Sequence, residues 1–166
     1  MKMIRNVKGI LKMLILSTVV TVFVLACSKN NSYNNSTPST TNNYTISGTA
    51  SGSNMVPAVS GNGSATISGN YNSNTHMLSY TTNWSGLSGP PTGGGFFYAA
   101  AGSNGSAIGA LWTFDSTAIA KSTISGQMTL TAEQAQWLTS GNWYYVMGTA
   151  TNPYGEVRGQ INAKTQ

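Results

Sequence analysis

Apolar and polar residues alternate with period two along most of the chain from residue 44 onward, and turn-forming clusters break the alternation at short intervals. Tyr44 and Ile46 begin it, Ala65 and Ile67 continue it, and the longest run sets Leu78, Tyr80, Thr82 and Trp84 against Ser79, Thr81, Asn83 and Ser85. Because successive side chains of a strand point to opposite faces, this pattern predicts strands with one buried and one solvated face. Ile108, Ala110, Trp112 and Phe114 form a further set, then Ile124, Met128 and Leu130, and finally Val157, Gly159 and Ile161. Residues 86–95, GLSGPPTGGG, read as a breaker before the apolar Phe96-Phe97-Tyr98. Trp143-Tyr144-Tyr145 opens a continuous apolar run to Met147. Many short strands between Gly-rich turns predict an all-β fold, a single antiparallel β-sandwich or barrel of Greek-key-like order.

One short helix is predicted near residues 131–140. Thr131 and Gln134 have capping-box spacing, Trp137 and Leu138 turn to the core, and Gly141 supplies the stop. Glu133 in the first turn suits the helix dipole. Asp115, ahead of Ser116-Thr117, suits an Asx-type turn.

The first 43 residues follow a different pattern. Lys2, Arg5, Lys8 and Lys12 precede an apolar run from Met13 to Ala26, followed by Cys27. This is the layout of a secretory signal, and at 14 residues the apolar run falls short of the roughly 20 that a spanning helix needs. Val24-Leu25-Ala26-Cys27 resembles the lipobox of bacterial lipoproteins, which implies cleavage of residues 1–26 and acylation of Cys27. Membrane attachment through that lipid, on the periplasmic or outer face of the cell envelope, is the expected localisation. Residues 28–43, SKNNSYNNSTPSTTNN, are too polar to bury a core and read as a disordered tether behind the lipidated Cys27. A single domain is expected over residues 44–163.

Cleavage changes what the charge implies. The whole chain carries eight basic and three acidic side chains, a formal +5. Loss of the signal leaves four basic residues, Lys29, Lys121, Arg158 and Lys164, against the same three acids, a formal +1. Such a chain has no electrostatic footprint for nucleic acid. Cys27 is the single cysteine, so neither an intramolecular disulfide nor a cysteine-ligated metal is available.

The order of several motifs resembles the CHRD domain, named after the secreted morphogen antagonist chordin. The motifs are Val56-Pro57, Gly63 to Ile67, Ser85 to Pro90, Leu130 to Gln134 leading to Gly141-Asn142, and the terminal Asn152-Pro153-Tyr154-Gly155-Glu156-Val157-Arg158-Gly159-Gln160. The resemblance runs from about Asn43 to Ile161 and implies an extracellular module without a settled chemistry. Where the family commonly has a His-x-His pair this chain has Gly95 and Phe97. Where it commonly has a histidine before the terminal motif, and an acid before the early Val-Pro, this chain has Gly148 and Met55.

No enzyme, cofactor or metal site is therefore expected. The one histidine, His76, falls in a hairpin turn, and catalytic zinc normally takes three protein ligands. A carboxylate-based hydrolase would need Asp115 and Glu156 in one cleft, and no nucleophile elbow is present in the right setting. A binding module for a protein or glycan partner is the preferred reading, with Phe96, Phe97, Tyr98, Trp143, Tyr144, Tyr145 and Tyr154 as its candidate aromatics. In each run one ring must leave the inner face, to be covered by helix or loop, the more ordinary outcome, or to be exposed as a platform. Asn152, Pro153, Gly155, Glu156, Arg158, Gly159 and Gln160 are read as a structural signature. Within it Glu156 and Arg158 share a strand face and are placed to pair with each other or a neighbouring strand, and the Arg158 fork is placed to satisfy backbone carbonyls.

Overall fold

The structure, a computed structural model, describes residues 42–166. The expected signal peptide, Cys27 and the expected tether up to residue 41 lie outside the described residues. Among the described residues there are nine strands: β1 Asn43–Ser51, β2 Ser64–Asn72, β3 Met77–Ser85, β4 Pro91–Tyr98, β5 Ser106–Trp112, β6 Thr123–Thr129, β7 Trp143–Thr149, β8 Val157–Gln160 and β9 Asn162–Thr165. They pair antiparallel in the order β5-β4-β7-β8-β1-β2-β3-β6, with β9 also on β1, a nearly closed barrel whose seam lies between β5 and β6. The first strand therefore begins at Asn43, the last residue of the Asn/Ser/Thr run.

The period-two sets face inward as expected. Ile46, Ala50, Ala65, Ile67, Leu78, Trp84, Met147, Val157 and Ile161 form one buried cluster with Phe96, Trp112, Trp143 and Tyr145. In β8 an inward position is glycine for a reason of space. A Cβ on Gly159 would lie 2.6 Å from Thr49 O and 2.7 Å from the Tyr145 ring, so only a bare backbone lets that ring lie against the barrel wall. The Tyr145 hydroxyl then donates to Ala65 O at 2.9 Å, and burial raises its pKa far above the usual tyrosine value.

Helix α2, Ala132–Thr139, matches the expected helix, with the reciprocal capping box between Thr131 and Gln134 in place and Ala135 and Leu138 in the core. A second helix, α1 Ser116–Lys121, goes beyond the turn expected there. Asp115 caps it by accepting from Ala118 N at 2.7 Å, so the Asx reading holds for the side chain and falls short by one helical turn. Strand β4 begins inside the stretch read as a breaker. Pro91 opens it opposite Thr149, at a first-strand position where a missing N–H is tolerated. The alternation assigned to Ile108, Ala110 and Trp112 is also interrupted. The β4–β5 register slips between Gly94 and Phe96, so Ile108 and Trp112 point inward while Ala110 stays exposed.

Candidate functional site

The outer face of β4, β7 and β8 is covered, and the cover forms the site. Strand β7 is buried at all seven positions, which a barrel strand achieves only when its outward side chains also lie beneath other chain segments. Three loops provide that cover: Met55–Val59 after β1, Ser103–Gly105 between β4 and β5, and Thr151–Gly155 between β7 and β8. Together they wall a pocket of about 550 Å3, with Phe97, Tyr144, Val146 and Arg158 at its floor.

Arg158 ties these segments together. Its Nη1 donates to Asn104 Oδ1 at 3.2 Å and its Nη2 to Ser103 O at 2.7 Å, while its guanidinium carbon sits 3.6 Å from the centre of the Tyr144 ring. Tyr144 OH accepts from Gly105 N at 2.9 Å, and Asn104 Nδ2 donates to Val56 O at 2.7 Å, so one loop is held to the floor and to its neighbour at once. Arg158 is only 2% exposed, and this burial pushes its pKa down, partly opposed by Tyr144. Next along, Gln160 Nε2 donates to Ala99 O at 3.1 Å and Gly141 O at 2.8 Å. The carbonyl-binding role expected for Arg158 is met at one backbone carbonyl, Ser103 O, and Gln160 takes two more.

Glu156 has separate partners. Its carboxylate accepts from Ser88 N at 2.7 Å, Ser88 Oγ at 2.5 Å and Thr149 Oγ1 at 2.7 Å, with Asn152 Nδ2 at 3.5 Å. Burial alone would raise its pKa, and the hydrogen bonds from Ser88, Thr149 and Asn152 together outweigh that and hold it below the usual value. Glu156 thus anchors the Ser85–Pro90 motif to the terminal motif. Gly155, at φ 133°, supplies the backbone turn between the loop and Glu156, and a Cβ there would strike Met55 and Val146.

Residues 46–161 match the CHRD domain family. The chain belongs to that family. Comparison with curated proteins and with solved structures found no match. Met55, Gly95, Phe97 and Gly148 fall on the strands and loops around this pocket of the CHRD domain. Met55 and Phe97 line the pocket, Gly95 pairs with Val146 of its floor, and a Cβ on Gly148 would meet Asn152 O and Pro153 O of its wall. Among the described residues no three His, Cys, Asp or Glu side chains are grouped to hold a metal ion. His76 lies in the β2–β3 turn, its Nδ1 3.2 Å from Tyr71 OH.

Three of the expected binding aromatics are corrected. Phe96, Trp143 and Tyr145 are at most 2% exposed, because their strand parity turns them inward, and so they present no platform. Tyr144 is 3% exposed beneath Arg158 and stacks on Phe97 with ring centres 5.4 Å apart. Two rings do reach solvent. Tyr98 is 37% exposed and stacks at 4.0 Å on Trp137 of α2, and Tyr154 is 97% exposed at the pocket rim. Sequence reasoning does not find Ser88 and Thr149 as partners of Glu156, although Ser88 lies within the Ser85–Pro90 motif. Nor does it find Ser103 and Asn104, for which Ser-Asn-Gly gives only a loop signal.

Proposed function

We propose that this CHRD domain is a lipid-anchored extracytoplasmic binding module that engages a protein or glycan partner at the cell envelope and catalyses no reaction. The observation that carries this reading is Tyr154, a large ring held 97% exposed by a rigid, hydrogen-bonded motif at the mouth of a pocket with an aromatic floor. Exposed aromatics beside a preformed concavity are the usual anchors of recognition. All three acidic side chains serve the fold, since Asp115 caps α1, Glu133 sits in the first turn of α2, and Glu156 accepts from Ser88 and Thr149. That distribution disfavours a carboxylate-based hydrolase.

The test is capture from envelope extracts, or on a glycan array, by the wild-type chain and by Tyr154→Ala. With so little of the ring buried, the variant should melt within about 0.5 kcal/mol of wild type. The expected result is a partner retained by wild type and lost by Tyr154→Ala. Equal retention by both would sink the reading.

A further inference from the structure

The geometry points to a specific ligand class for this pocket: a carboxylate carried on an apolar body, its charged end against Arg158. This deepens the binding reading above and rests on it. The size fits, since about 550 Å3 falls within the roughly 300–1,000 Å3 of small-ligand pockets. The walls fit an apolar body, because Met55, Val56, Val59, Phe97 and Val146 line it and Tyr154 stands at the mouth.

The charge selects the head group. Arg158 lies between this pocket and a smaller one of about 310 Å3, and lines both. Its partners are a carbonyl, an amide oxygen and a ring face, all formally neutral. Neither pocket is lined by an acidic side chain. A buried cation held only by neutral groups is costly, and an anion brought to it through low-dielectric surroundings is attracted more strongly than in water. The guanidinium has five N–H donors in a flat fork matched to a carboxylate, and two of them serve Asn104 and Ser103. One cation among apolar walls suits a monoanion and does not suit a phosphate dianion. Two sources share this chemistry, a free small acid and the C-terminus of a polypeptide ending in an apolar residue.

The test uses the full chain in lipid nanodiscs, with empty nanodiscs subtracted, and titrates two matched pairs by calorimetry. The pairs are phenylacetate against phenylacetamide, and N-acetylphenylalanine against its amide. Wild type should bind at least one acid tenfold or more tighter than its amide. Arg158→Gln should erase that preference while leaving amide binding in place, which a purely structural role would not do. Where Arg158→Gln does not fold, Thr151→Glu serves instead: it adds a negative charge at an exposed position of the pocket wall and should weaken the acid severalfold at low salt with little effect on the amide. Preference for N-acetylphenylalanine alone assigns the polypeptide source, and preference for phenylacetate alone assigns the small acid. Equal affinity for acids and amides, or no binding of either, overturns the inference. Retention of a Tyr154-dependent partner in that case would leave the broader binding reading standing.

Discussion

Replacing Glu156 by alanine tests the hydrogen-bonded joint between the two loop motifs most directly. The carboxylate is 4% exposed and receives three well-formed bonds at 2.5 to 2.7 Å, two from Ser88 and one from Thr149. Hydrogen bonds to a charged group contribute about 1.5–3 kcal/mol each, and bonds that share one acceptor do not add fully. Truncation also strands the Ser88 N–H, while the Ser88 and Thr149 hydroxyls keep each other as partners at 3.0 Å, so Glu156→Ala should cost roughly 3–5 kcal/mol. Against a total stability of about 5–15 kcal/mol, that leaves the domain marginal. Glu156→Gln keeps an acceptor for Ser88 N and an amide the two hydroxyls can accept from, and should cost only about 1–2 kcal/mol. The assay is urea unfolding followed by tryptophan fluorescence, repeated at several pH values. Because the folded pKa is depressed, the Glu156 contribution is fully present above the ordinary value of 4.5 and is lost as pH falls through the folded value. Wild type should therefore lose stability in that window with a slope that Glu156→Gln lacks. A Glu156→Ala loss below about 1 kcal/mol, or identical slopes for wild type and Glu156→Gln, would refute the account.

Two further outcomes are expected. Arg158→Ala removes the bonds to Ser103 and Asn104 and the contact with Tyr144, and should cost about 2 kcal/mol, lowering the melting temperature by roughly 6–10 °C in calorimetry. Thr131→Ala breaks the capping box of α2 and should cost about 1 kcal/mol by the same urea assay, with the far-UV spectrum otherwise unchanged.

The sequence is legible where one local rule acts alone. Leu78, Tyr80, Thr82 and Trp84 take the inner face of β3 because nothing interrupts their strand, and Thr131 with Gln134 marks α2 by spacing alone. It is less legible where distant segments decide the outcome. Period two shows that Tyr144 and Tyr145 point to opposite faces, but both are buried because loops about 40 and 90 residues upstream cover the outer face. Glu156 and Arg158 are legible as a shared face and not as separate clamps, since Ser88 lies 68 residues from the one and Ser103 55 residues from the other. Pro91 to Gly95 read as a breaker on composition, and join the sheet because β7 offers them a partner strand.

Strand β1 also sets how the domain carries load. Its nine residues pair with β2 from Asn43↔Asn72 to Ser51↔Ser64, and its far end leads into the loop that walls the pocket. A pull on the chain at Asn43, resisted by a partner held at that loop, acts along the strand over about 30 Å. That tension runs through the covalent backbone of β1 while its pairs with β2 keep the strand seated, whereas a pull across the strand would peel them one by one. β8 and β9 grip the other edge of β1 at Ser51 and over Tyr44–Ser47, so tension is shared with both sides of the barrel. The strand that begins the domain is thus placed to transmit force without unzipping.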